Sequence, residues 1–426
     1  MLVEFDEFAF DVIAPKYAPS DIQYNEAAVG TKLKAQDLPT SGKRLLDGIT
    51  QKNPLETLTV EEKQLVWMSR DLLWQDPTAL PAFLRAVNWT SRLHIAEAHK
   101  YLRVWRKPLY LADALELLDY RYADTCVREL AVKWLDEMHD SELQQYLLQL
   151  VQCLKYENHH DSALSRFLIR RGLKNPYQIG HYLFWHLKAE YHSLEVCERF
   201  GLMLEEYLKY AGEPSRQLFI QCMTLKRFEF IAEKIFKAKH TQTPEQCKKL
   251  LRKELQKLNR DLPEFMQIPL NPRWKAKKIK VDKCRYMGSK KVPLWIVFEN
   301  ADPSASDIVV LFKSGDDLRQ DMLIIQLLSV MDEMWLRSKL DLHLKPYKVI
   351  ATGVNRKGEG VGMIEIVLGS ETVNTINVEN GGAFNEKAIN CYLLQHSKGE
   401  NLRKARETFA RSCAGYCVAT FCSWNW

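Results

Sequence analysis

No apolar run in this chain reaches the roughly 18 residues that a helix needs to cross a bilayer. Its opening, MLVEFDEF, lacks the basic and apolar regions of a secretory leader. The ten cysteines include no CxxC pair. That spacing argues against zinc and for reduced, buried thiols in a cytosolic protein. Neither sign of charge dominates, because the net value is +6 over 426 residues. What is present is ordinary globular material: 46% hydrophobic and 11% aromatic residues are too many for a disordered chain. At this length there is room for two or three domains with real cores.

Charge is unevenly spread. Between Asn271 and Lys291 stand nine Lys/Arg and one acid, Asp282. Such a run is a solvated linker face, or a surface that attracts anionic lipid or phosphate. Nucleic acid is the poorest fit, since no aromatic interleaving or DNA-reading motif accompanies it.

Residues 2–12, LVEFDEFAFDV, alternate near period two through Val3, Phe5, Phe8 and Phe10, as a strand does. Residues 13–53 carry Pro15, Pro19, Gly30, Pro39 and Gly42 with weak periodicity, as expected of a linker or wrapping loop. From 54 to 239 the pattern is helical. DTCVRELAVKWLD and DSALSRFLIRRGLK begin 37 residues apart, at Asp124 and Asp161, a period that suits a HEAT- or armadillo-like α-solenoid. His159, His160, His181 and His186 have no metal-ligand spacing, and core or surface roles are expected of them. Residues 240–273 read as a basic amphipathic linker helix closed by Pro263, Pro269 and Pro272.

Beyond Trp274 strands are expected at PLWIVF, IVVLF, YKVIAT, GMIEIVL and TVNTINV, with one helix from about Leu318 to Lys339. The segment IVVLFKSGDDLRQDM, Ile308 to Met322, is the most informative: a buried strand, a lysine at its end, a Ser-Gly turn, and a helix whose N-cap and first turn fall on Ser314 to Asp317. A lysine so placed can project a fixed positive charge into a cleft.

FKSGDDLRQDM resembles the nucleotide-lysine segment of the phosphoinositide 3-kinase family. The resemblance runs from about Pro54 to Phe421 through TVEEKQLVW, LQLVQCLKYE, YQIGHYLFWHLKAE and MGSKK, and it is class I-like. It implies a mainly α, multi-domain fold: a helical (PIK) domain over 54–239, a linker helix over 240–273, and over 274–426 a kinase-like α+β amino-terminal lobe with the start of a helical carboxy-terminal lobe. Residues 1–12 would be the last strand of a C2-type lipid-binding domain.

By that match Lys313 contacts the ATP phosphates, and Ser289 of MGSKK faces them from a covering loop. Met287, Trp295 and Leu311 pack on adenine; Asp321 and Tyr347 stand at the back of the pocket; and IEIV holds the hinge at Ile364, Glu365 and Val367. The hairpin VNRKGEGVG is longer than usual and is expected at a solvent tip. The resemblance implies ATP and magnesium as cofactors, membrane phosphoinositides as substrates, an SH2-type regulatory subunit as partner, no nucleic acid, and a cytoplasmic enzyme recruited to the inner face of the plasma membrane. The family's catalytic groups lie in a Gly-Asp-Arg-His loop and a later Asp-Phe-Gly segment, and no DRH, DFG or HRD string occurs here. The chain is therefore expected to be a truncated catalytic subunit with part of the ATP site, weak or no ATP binding, no catalytic residues and no protein metal ligands. The alternative is a non-catalytic binding protein whose solenoid engages regulatory partners.

Overall fold

The computed structural model describes residues 29–34, 36–382, 385 and 387–424. The strand expected over 2–12 lies outside them. The chain divides into two compact units, one ending at Glu137 and the other beginning at Met138.

The first unit is helical: α1 (Thr40–Thr50), α2 (Val60–Met68), α3 (Arg70–Leu73), α4 (Leu80–Ala86), α5 (Arg92–Leu102) and α6 (Thr125–Leu135). α1 corrects the loop expected over 13–53. Only Leu46 and Ile49 of it are buried, too few to announce a helix by periodicity. Thr59 and Glu62 close a capping box at the start of α2, and the Asp124 carboxylate accepts from Val127 N–H at the start of α6. The core is aromatic, with Trp67 stacked on His94 and on Phe83.

The second unit opens with α7 (Asp140–Cys153), α8 (Ala163–Lys174), α9 (His181–Glu190), α10 (Cys197–Tyr210), α11 (Glu213–Ala238) and α12 (Pro244–Asp261). Seven strands follow: β1 (Met266–Ile268), β2 (Asn271–Ile279), β3 (Arg285–Tyr286), β4 (Leu294–Asn300), β5 (Ile308–Ser314), β6 (Val349–Val354) and β7 (Gly360–Glu365). They form one antiparallel sheet ordered β1-β2-β4-β5-β7-β6, with β3 paired to β4. α13 (Arg319–Arg337) stands between β5 and β6; α14 (Val373–Glu379), α15 (Ala388–His396) and α16 (Gly399–Trp424) come after the sheet.

Strands begin at Met266, earlier than the expected Trp274: α12 stops at Asp261, just before Pro263, and Pro269 lies in the turn between β1 and β2. TVNTINV, expected as a strand, is α14: Thr372 accepts from Thr375 N–H as a cap, and only Ile376 is buried. Its β-branched residues mimic strand composition, but among the described residues no strand pairs with them. The cysteines are free, and only Cys247 and Cys284 are buried, so the expectation of buried thiols holds for two of the ten.

One face of the sheet packs on α11. Phe228 lies 5.5 Å from Phe312 and 6.2 Å from Phe298, centroid to centroid. Leu251, Leu255 and Leu258 of α12 join the same core, as do Trp185 and Tyr207. The helix expected as a linker is therefore a packed layer. α9 is tied to the strands by its polar groups. Tyr182 donates to Leu270 O at 3.1 Å, Lys188 to Thr352 O at 3.3 Å, and His181 Nε2 to Pro269 O at 2.8 Å.

Candidate functional site

Along β5 the side chains alternate: Ile308, Val310 and Phe312 are buried toward α11, so Val309, Leu311 and Lys313 face the other way. Register then places partners beside them. Trp295 pairs with Leu311, Leu311 with Ile364, and Ile364 with Val349. Four apolar side chains thus form one row across β4, β5, β7 and β6, each half-buried rather than sealed. A flat aromatic ring can lie on such a row.

The next row holds Lys313, Gly362 and Ala351. A Cβ on Gly362 would meet the Ile350 carbonyl and stand 2.7 Å from Leu318, so only glycine lets α13 approach here. Lys313 is three-quarters buried and ion-paired to Asp316 at 3.3 Å. The turn after it bends at Gly315, whose φ of +108° is open to glycine, and Gly315 N–H donates to Gly360 O at 2.8 Å. α13 starts at Arg319, later than the N-cap expected over Ser314 to Asp317. Asp317 accepts from Arg319 N–H at 3.0 Å and grips its guanidinium at 2.7 Å, which holds its carboxyl below the usual range.

Asp321 is exposed on the first turn of α13. Tyr347 lies near enough that burial, the Asp321 charge and Tyr416 together push its hydroxyl pKa up. In β7, Glu365 is held twice by Lys348: its N–H donates to Lys348 O, and its Oε2 accepts from Lys348 N–H, each at 2.8 Å. The Val367 carbonyl accepts from Ser370 Oγ at 2.7 Å. Met287 and Ser289 flank a short loop, in which Met287 N–H donates to Pro293 O at 2.8 Å. Lys239 grips that loop through the Gly288 and Ser289 carbonyls at 2.8 and 3.1 Å. The Ser289 side chain is exposed.

The structure thus brings Trp295, Leu311, Ile364 and Lys313 onto one surface, with Glu365 next in its strand. Sequence reasoning missed Val349, the fourth member of the row, and the role of the 355–360 hairpin. That hairpin is not a free tip. Asn355 Nδ2 reaches Ser314 Oγ at 3.3 Å, and Glu359 pairs with Lys291 of the covering loop at 2.9 Å. The signal was in the opposite charges of Lys291 and Glu359, but nothing local connects them.

A positive charge beside an apolar ledge suits a purine nucleotide: base on the row, phosphates toward Lys313. Of the two aspartates that follow it, Asp316 pairs with Lys313 at 3.3 Å and Asp317 with Arg319 at 2.7 Å.

Comparison with known proteins points to one family. The profile described as "Phosphoinositide 3-kinase family, accessory domain (PIK domain)" matches residues 35–220, and that described as "Phosphatidylinositol 3- and 4-kinase" matches residues 307–422. The chain is similar to Phosphatidylinositol 3-kinase 2 of Dictyostelium discoideum, 43% identical over 91% of this chain and 20% of that protein. Phosphatidylinositol 3-kinase 3 of the same organism is 39% identical over 95% of this chain and 24% of its own length. Phosphatidylinositol 3-kinase 1 is 38% identical over 99% and 26%. The chain thus spans a fifth to a quarter of the length of these relatives. With both profiles matched in their expected order, the chain belongs to the phosphoinositide 3-kinase family.

Proposed function

We propose that these 426 residues supply the helical scaffold and the nucleotide ledge of a phosphatidylinositol 3-kinase, an enzyme that transfers the ATP γ-phosphate to the 3-hydroxyl of a membrane phosphoinositide. The observation that carries this reading is the row Trp295–Leu311–Ile364–Val349 with Lys313 in the adjoining row. Adenine lies on the row and meets the hinge backbone at Glu365 and Val367. Lys313 leaves Asp316 for the phosphates, a change of partner that a half-exposed carboxylate tolerates. Ser289 closes over them from its loop. Asp321 and Tyr347 line the rear.

The helical half, read as stacked pairs of HEAT or armadillo type, is a scaffold with a surface for an SH2-type regulatory subunit. The working place of the whole protein is the cytoplasmic face of the plasma membrane. Because these residues contain no DRH, DFG or HRD string, they hold nucleotide weakly and do not transfer phosphate alone. Magnesium enters with the catalytic groups of the complete enzyme.

Titration of the 426-residue chain with a fluorescent adenosine nucleotide tests this. Saturable binding is expected, and Lys313→Ala should weaken it about tenfold or more, the worth of a charged hydrogen bond. Equal affinity of the two proteins, or no binding at millimolar nucleotide, would overturn the assignment. Turnover of phosphatidylinositol by this chain would overturn its inactivity.

A further inference from the structure

We propose that the outward face of α12 is a docking surface for an anionic lipid bilayer, separate from the nucleotide ledge. Residues 239–291 hold 16 Lys/Arg against five Asp/Glu, a net of +11. The whole chain carries +6, so the remaining 373 residues sum to −5. The positive character of the protein therefore resides in one stretch, and the structure shows where it is displayed.

α12 turns Cys247, Leu251, Leu255 and Leu258 into the core. The opposite stripe carries Lys249, Arg252, Lys253 and Arg260, exposed and spaced to share one helical face. Neighbouring lysines are neutralised locally: Lys248 pairs with Glu245 at 2.7 Å, and Lys257 with Glu254 at 2.9 Å. The stripe is not. Lys249, Lys253 and Arg260 have no carboxylate partner among the described residues, and Arg252 reaches Asp282 only at 4.0 Å. Four cations left without close counter-charges along a rigid helix repel one another, and a surface of opposite sign relieves them.

A bilayer fits better than a nucleic acid. The stripe has no aromatic side chain on which bases could stack. Because the apolar face of α12 is already used inside the fold, contact is by adsorption of charge and not by insertion of a helix into the acyl region. This inference rests on the membrane part of the functional reading, but nucleotide binding is measured independently of it.

The test is co-sedimentation of the 426-residue chain with vesicles of phosphatidylcholine alone and with 30% phosphatidylserine (about a third anionic, in the range where polybasic segments bind). Binding to the anionic vesicles alone is expected, and lost in high salt. The variant K249Q/R252Q/K253Q/R260Q should bind several hundredfold less tightly, since each of the four basic residues at such a surface contributes roughly fivefold. K63Q/K133Q/K398Q/K404Q removes the same charge from exposed sites elsewhere and should bind as the wild type does. Near-ultraviolet circular dichroism confirms that both variants fold. Equal losses in the two variants, equal binding to neutral vesicles, or capture by a duplex oligonucleotide in preference to anionic vesicles would each overturn the proposal. Nucleotide affinity unchanged in the α12 variant separates failure of this surface from failure of the nucleotide ledge.

Discussion

Lys313 and Leu311 were singled out by the resemblance, and strand alternation puts them on one face of β5 without any knowledge of the rest of the fold. Val349 was not, because its place beside Ile364 is set by the pairing of β6 with β7 after an intervening loop. Glu365 was chosen for its backbone, and its side-chain grip on Lys348 N–H came as an addition. Gly362 makes the most direct residue-scale prediction. Its Cβ position is filled by the Ile350 carbonyl, a backbone atom that cannot rotate away, and by Leu318. Gly362→Ala should therefore destabilise the protein by about 1–3 kcal/mol, as overpacking does. It should also weaken nucleotide binding, because β6 and β7 must part in the row that holds Lys313. Denaturant unfolding and the nucleotide titration check the two effects together. Unchanged stability would mean that α13 does not approach as closely as described.

At the scale of the element, α9 was recognised by its string, YQIGHYLFWHLKAE, while the reason for that string became visible only with its tertiary partners. His181, Tyr182 and Lys188 each hold a carbonyl of the strand region, and such partners lie 88 or more residues away in the chain. This helix carries two histidines, His181 buried and His186 half-buried with its Nδ1 covered. Desolvation holds the pKa of each down to about 4, against an ordinary 6.5. The unfolded chain therefore binds protons that the native state refuses. Their contribution to stability is full above pH 6.5 and is lost as pH falls from 6.5 toward 4. At pH 5 the loss should be roughly 2 kcal/mol per histidine. His186, whose Nδ1 is buried without a partner, is the site to test. His186→Leu should lose less stability between pH 7 and pH 5 than the wild type does, by about that amount, in urea unfolding at the two pH values. Identical slopes for the two proteins would show that His186 is not held neutral in the fold. The same scale explains the errors over α1 and α14. Short amphipathic helices with one or two buried residues carry too little periodic signal to be told from loop or strand.

At the scale of the whole molecule, sequence placed a boundary near 240–273, where prolines and basic residues gather, and packing does not respect it. The core that holds Phe298 and Phe312 of the sheet also holds Trp185, Tyr207, Phe228 and Leu255, so residues from either side of that boundary fold as one body. The accessory-domain profile, matching 35–220, likewise crosses the division between compact units at Glu137 and Met138. Composition marks where a chain changes character, whereas a folding unit is defined by which apolar faces cover one another. The two criteria make different fragments the right ones to express. Residues 280–426 keep β4 to β7 but discard Phe228, Ile231 and Ile235 of α11, and so uncover the face that carries Val310 and Phe312. Loss of one such buried aromatic costs about 3–5 kcal/mol, and the stability of a whole domain is of order 5–15 kcal/mol. That fragment should unfold without a cooperative transition and bind a hydrophobic dye. Residues 138–426 keep every member of this core and should melt in one sharp transition, with the nucleotide affinity of the full chain. Calorimetry of the two fragments side by side decides the matter: a sharp transition in the shorter one would mean that the sheet stands without α11, and a broad one in the longer would mean that residues before Met138 are needed to hold it.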